Sequence, residues 1–263
     1  MKKTIPDYIE AGQGKPIVFI PGMEGVKTFW HYQMEPFSKK YRFITCDLVI
    51  KQPQLSRRVS EYAEDVLRLL DHLKLNQVIL VGESFGGMIA QELSIYHKDR
   101  ISALVLCNTT TQFHKGNFGM NMFTLATLIH PTAFMFPKII AKQILRWTSQ
   151  YRGFVLDTSK GNDELIDYIL EYGLNAGLAG YLDRLIASLK ENYTSKLNEI
   201  DVPTLIIRGT EDQLVSSDIV LQFVGRIPFS KLVLIDGGGH CCSYTMPDET
   251  NRAILNWLAS LPL

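Results

Sequence analysis

Six short apolar runs recur along the chain: PIVFI (16–20), RFITC (42–46), QVILV (77–81), ALVLC (103–107), TLIIR (204–208) and KLVLI (231–235). None of them alternates with polar residues. A strand with one face in water alternates, whereas a nearly unbroken apolar run predicts a strand covered on both faces, as in a parallel sheet between helices. Between the runs the spacing of apolar residues lengthens to three and four. Val59, Tyr62, Val66, Leu69, Leu70 and Leu73 mark a helix over 57–73, and Ile254, Leu255, Trp257 and Leu258 mark another over 249–260. This alternation predicts an α/β fold: a mostly parallel, doubly wound sheet with right-handed crossovers.

One interval breaks the rhythm. Between Cys107 and Thr204 no strand pattern is present. Large apolar residues crowd its first half (Phe118, Met120, Met122, Phe123, Phe134, Met135, Phe136), and Pro131 and Pro137 divide it. A structureless loop of roughly 90 residues is improbable inside a compact domain. The expected division is therefore a core of residues 1–110 and 201–263, with 111–200 inserted as a helical cap. Phe123 and Phe134 are the expected lining of an apolar substrate pocket, since such pockets carry few polar groups.

Composition narrows the class. In 263 residues, Lys plus Arg and Asp plus Glu are both 27, so the net charge is zero and nothing points to nucleic acid. No run of about 18 apolar residues exists to span a membrane. The two N-terminal lysines precede no apolar stretch, so a signal peptide is not expected. Cys46 and Cys107 end predicted strands, while Cys241 and Cys242 are adjacent. That spacing is neither a disulfide framework nor a metal site. Buried thiols and a cytoplasmic location are expected.

The chemistry is concentrated at Gly82-Glu83-Ser84-Phe85-Gly86, between a buried run and a helical pattern. Ligands bind open parallel sheets beyond the carboxyl ends of the strands. A strand turning abruptly into a helix needs glycines where a Cβ would clash, and the turn pushes the serine hydroxyl outward. It also leaves the Phe85 N–H at a helix N-terminus. This is a G-x-S-x-G nucleophile elbow in its expected context, and on it the chain resembles the α/β-hydrolase superfamily along nearly its whole length.

The resemblance implies a Ser, acid, His order and a cap between the superfamily's sixth and seventh strands. Of the six histidines, His240 alone follows a late core strand, through LIDGGGH; His31, His72, His97, His114 and His130 lie in helical or inserted segments. The family pattern of strand, glycine, two residues and Asp falls on Asp212 in TLIIRGTED, in preference to its neighbour Glu211. Some relatives carry the acid after the sixth strand, but CNTTT there has no carboxylate. An oxyanion hole needs two donors. The resemblance assigns the backbone N–H groups of Phe85 and of Met23, the latter in PGMEG where relatives have His-Gly.

A second departure follows Asp47. Relatives often carry a Gly-x-Gly-x-Ser turn there, and DLVIKQPQLSRRV has none. That sets the chain apart from the common lactonase, epoxide hydrolase and haloperoxidase branches. The proline-led loop, this glycine-poor segment and LVLCNT resemble maspardin, a relative regarded more as an interaction protein than an enzyme. The acid and histidine in register distinguish this chain from it.

The expectation is a cofactor-free serine hydrolase acting on a small or medium ester or thioester, with no metal. A carbon–carbon bond hydrolase or a cofactor-free haloperoxidase would use the same triad, and a maspardin-like scaffold is the alternative of another class. Glu83 is expected at the helix N-terminus, favoured by its dipole, or against the insertion. Cys241 and Cys242 are expected to pack beneath the histidine loop rather than serve as a redox switch.

Overall fold

Each of the six apolar runs becomes a strand: β2 (Lys15–Ile20), β3 (Tyr41–Cys46), β4 (Val78–Glu83), β5 (Ile101–Cys107), β6 (Thr204–Gly209) and β7 (Ser230–Ile235). The computed structural model describes residues 5–48, 57–112, 135–150, 162–212 and 214–262. A further strand, β1 (Tyr8–Ala11), precedes them. The sheet order is β1-β3-β2-β4-β5-β6-β7. All pairs are parallel except β1 with β3, whose register runs from Tyr8 opposite Cys46 to Ala11 opposite Phe43.

The absence of polar alternation has its cause in the two faces of this sheet. Ile17, Phe19, Ile79, Val81, Val105 and Leu205 enter one core with Phe29, Trp30, Phe37 and Trp257. Their neighbours Val18, Ile20, Val78, Leu80, Leu104 and Ile206 enter another with Tyr62, Val66, Leu69, Phe85 and Met88. Helices α1 (His31–Ser38) and α8 (Pro247–Ala259) cover the first face; α2 (Val59–His72) and α3 (Phe85–Tyr96) cover the second. Burying each such side chain contributes about 1.5–3 kcal/mol, so both faces of the central strands are under equal pressure to be apolar.

Two elements depart from the sequence pattern. β1 reads YIEA, partly exposed, and an edge strand with one antiparallel neighbour carries no apolar run to reveal it. β7 reads as a central strand yet stands at the other edge. Leu234 there is 53% exposed, as is nearby Phe229 at 65%.

Between β5 and β6 the described residues form no strand. They hold α4 (Lys138–Gln150) and α5 (Asn162–Leu189), then a 3-10 turn at Thr194–Glu199. The two ends of this excursion meet. Gln112 bridges Asn192, the Tyr193 N–H donates to the Thr111 carbonyl at 2.9 Å, and the Thr111 and Thr194 hydroxyls lie 2.8 Å apart. Phe123 and Phe134, the expected pocket lining, lie outside the described residues. α6 (Ser217–Arg226) and the short α7 (Cys242–Thr245) complete the elements.

Candidate active site

Ser84 stands between the end of β4 and the first residue of α3, with φ 51° and ψ −115°. A non-glycine residue in that region costs on the order of 1–3 kcal/mol and persists only where its surroundings fix it. They do so here. The Ser84 N–H donates to the Cys107 carbonyl at 3.0 Å, and its own carbonyl accepts from the Gly87 N–H and, at 2.6 Å, from the Thr109 hydroxyl. The flanking glycines are sterically required. A Cβ on Gly82 would meet the Gly86 carbonyl oxygen at 2.4 Å, and one on Gly86 would meet the Ile20 carbonyl oxygen at 2.3 Å.

The loops after β6 and β7 bring two further groups to the serine. His240 Nε2 lies 2.9 Å from Ser84 Oγ, and its Nδ1 lies 3.0 Å from Asp212 Oδ2. The other Asp212 oxygen, Oδ1, accepts from the backbone N–H groups of Leu214 at 2.8 Å and Val215 at 3.0 Å. Both carboxylate oxygens are therefore occupied and the group has one orientation. Glu211, one residue away, is exposed. Burial disfavours the charged imidazole of His240, but the Asp212 charge and hydrogen bond outweigh it, with Glu83 and Glu24 adding to them. The net result is a pKa raised above the ordinary 6.5.

The Pro21–Gly25 loop lies on the other side of the serine: a Cβ on Gly22 would contact Ser84 Cβ at 3.3 Å. The loop is closed by the Gly25 N–H donating to the Gly22 carbonyl at 3.1 Å. Among the described residues no acceptor takes the N–H of Met23 or of Phe85.

Glu83 is not a solvated helix-terminal carboxylate, and among the described residues its hydrogen-bond partners lie outside the insertion. It is the last residue of β4 and is 1% exposed. Its carboxylate accepts from Asn108 Nδ2 at 3.2 Å and Ser243 Oγ at 2.8 Å. Burial pushes its pKa up to about 8, against the opposing effects of His240, Ser243 and Asn108. The sequence carries no hint of this, because Asn108 follows β5 and Ser243 lies in α7, both distant along the chain. Cys107, Cys241 and Cys242 are buried and free, and burial raises all three thiols above their ordinary value. Cys242 Sγ accepts from Asn108 Nδ2 at 3.1 Å. Among the described residues no three His, Cys, Asp or Glu side chains cluster as metal ligands, and no helix is long and apolar enough to cross a membrane.

Sequence reasoning missed a pair of buried charges in α5. Asp183 accepts from the Tyr62 hydroxyl at 2.8 Å, and Arg184 donates to the carbonyls of Met23 and Glu24. The helix also rests on aromatic rings of the core: Tyr168 packs against Tyr244, centroids 5.1 Å apart, and against Phe29 at 6.3 Å. Two charges inside the apolar stretch YLDRLIASL were the available signal.

Known proteins agree with this architecture. The (E)-2-((N-methylformamido)methylene)succinate hydrolase of Acinetobacter baylyi is 23% identical over 262 residues, which span 97% of this chain and 94% of that protein. Among solved structures, the enol-lactonase from Burkholderia xenovorans LB400 superposes with a TM-score of 0.81 at 21% identity, covering 97% of this chain and 96% of its own. Bromoperoxidase from Bacillus anthracis does so with a TM-score of 0.78 at 27% identity, covering 96% and 95%. The family model described as the alpha/beta hydrolase fold matches residues 15–247, and the chain belongs to that family.

Proposed function

We propose that this chain is a serine hydrolase that cleaves a small or medium carboxylic ester or thioester through an acyl-enzyme. The observation that carries the reading is the unbroken chain of contacts from Ser84 Oγ to His240 Nε2 at 2.9 Å and from His240 Nδ1 to Asp212 Oδ2 at 3.0 Å. A serine hydroxyl is a weak nucleophile until a base takes its proton, and the base works only in the correct tautomer. Asp212 accepts a hydrogen bond from the His240 Nδ1–H, which leaves Nε2 free to accept from Ser84.

The reaction follows from these positions. Ser84 Oγ bonds to the carbonyl carbon while its proton passes to His240 Nε2. The carbonyl π pair moves onto oxygen, and the N–H groups of Met23 and Phe85 receive that charge. The tetrahedral centre collapses, the bond to the leaving oxygen or sulfur breaks, and Nε2 returns the proton to the leaving group. Water then repeats the cycle on the acyl-enzyme and frees Ser84. Asp212 holds the imidazolium throughout without taking a proton.

The same triad serves hydrolases of other bonds, and the chain's relatives carry names of several kinds, so substrate is assigned by experiment. A series of p-nitrophenyl esters of increasing acyl length, with acyl-CoA thioesters alongside, tests the reading. Turnover of at least one member that vanishes in Ser84→Ala is expected. A folded protein with no turnover of any member, and no reaction with a fluorophosphonate, would point to the non-catalytic scaffold instead.

A further inference from the structure

Asp183 and Arg184 are consecutive residues of α5, 0% and 1% exposed, and neither belongs to the Ser84–His240–Asp212 chain. Charged side chains are almost never this buried without partners, so what each one touches is informative. Asp183 faces α2 and takes the Tyr62 hydroxyl. Arg184 faces the loop beside the nucleophile. Its Nε donates to the Met23 carbonyl at 2.6 Å and its Nη2 to the Glu24 carbonyl at 3.2 Å. No carboxylate among the described residues is hydrogen-bonded to it. The approach is close enough to demand glycine opposite: a Cβ on Gly25, where φ is +69°, would meet Arg184 Cζ at 2.9 Å and Nη1 at 3.0 Å.

These contacts bear on one N–H. Peptide groups are planar, so fixing two successive carbonyls fixes the two peptide planes that follow the Met23 Cα. On the other side, the Gly25 N–H to Gly22 carbonyl bond closes the turn. The Gly22 carbonyl and the Met23 N–H share one peptide plane, and the Gly25 N–H that holds this carbonyl belongs to the plane that Arg184 fixes through the Glu24 carbonyl, so a helix of the insertion supplies the anchor.

We propose that Arg184 is a positioning residue for the oxyanion hole. Through the carbonyls of Met23 and Glu24 it aims the Met23 N–H, so that the hole is complete only when α5 is seated on the core. The proposal rests on the serine-hydrolase reading above and adds that the second donor depends on the insertion.

A trifluoromethyl ketone tests it. Ser84 Oγ adds to the ketone carbon, the proton passes to His240, and the ketone oxygen becomes an anion in the hole, so affinity reads the hole directly. Arg184→Met, folded by circular dichroism, is expected to bind the ketone roughly a hundredfold more weakly, the scale of losing one oxyanion donor. Its ester kcat should fall in parallel while KM changes less than about threefold, because the interaction is made in the transition state. Arg184→Lys keeps the charge and can reach one carbonyl, and roughly a tenfold loss is expected. A folded Met variant that binds the ketone like the wild type overturns the proposal, as does a rise in KM with kcat unchanged. Should the Met variant not fold, wild-type affinity in the Lys variant overturns it equally. Failure of the wild-type protein itself to bind the ketone or react with a fluorophosphonate sinks the hydrolase reading and this proposal together. Failure confined to the variants sinks this proposal alone.

Discussion

The two sides of Ser84 are built differently. On one side, the partners found among the described residues all come from the sheet and the segments that follow its strands: the Ser84 N–H is held by β5, the turn after β6 holds Asp212 Oδ1, and His240 holds Oδ2. On the other side, two carbonyls of the Pro21–Gly25 loop are held by Arg184, on a helix of the segment between β5 and β6. The second side is where the segment between β5 and β6 reaches the surroundings of the serine.

The comparison can be broken from the core side first. His240→Ala removes the proposed base, and on that reading kcat should fall by about six orders of magnitude with the fold intact, measured as turnover of the p-nitrophenyl esters. Asp212→Asn should cost roughly four orders, since the imidazole then adopts the wrong tautomer. Glu211→Gln is the control, with a change of less than about twofold expected, because an exposed carboxylate outside the relay contributes little. An equal loss in both would reassign the acid. Gly86→Ala places a methyl group 2.3 Å from the Ile20 carbonyl oxygen. It should destabilise the protein by about 2–4 kcal/mol in urea melts, or displace the elbow with loss of turnover.

A smaller effect concerns pH. The base works when neutral, so kcat/KM should rise with pH through the His240 pKa, which is raised above 6.5. A charge on Glu83 adds to that rise, but burial pushes the Glu83 pKa up to about 8, so the carboxyl is only partly charged as His240 titrates. Glu83→Gln should therefore move the inflection to lower pH, by less than about one unit. An unchanged or upward-moving inflection would mean that the buried carboxyl does not act on His240.

Much of the core side was legible in the sequence. Apolar runs without alternation identified the central strands because both faces are buried, and glycines flanking Ser84 marked a turn that excludes Cβ atoms. The same logic misjudged β7, whose apolar residues sit at an edge, and passed over β1, whose YIEA carries no apolar run. Glu83 was misread because its neighbours Asn108 and Ser243 are supplied by distant segments. Asp183 and Arg184 stood out as charges in an apolar stretch, but the partner of Arg184 was hidden for the same reason in stronger form: its contact with Met23 joins residues 161 apart. Local pattern encodes which face is buried. It does not encode which backbone carbonyl a buried guanidinium will find.

The central claim is that Ser84 is an activated nucleophile, and a fluorophosphonate tests it without knowledge of the substrate. The wild-type protein should be labelled at a single serine, Ser84, as located by peptide mass spectrometry. Ser84→Ala should abolish labelling and His240→Ala should nearly do so. Native, folded protein that stays unlabelled, or that is labelled at another serine, would contradict the account.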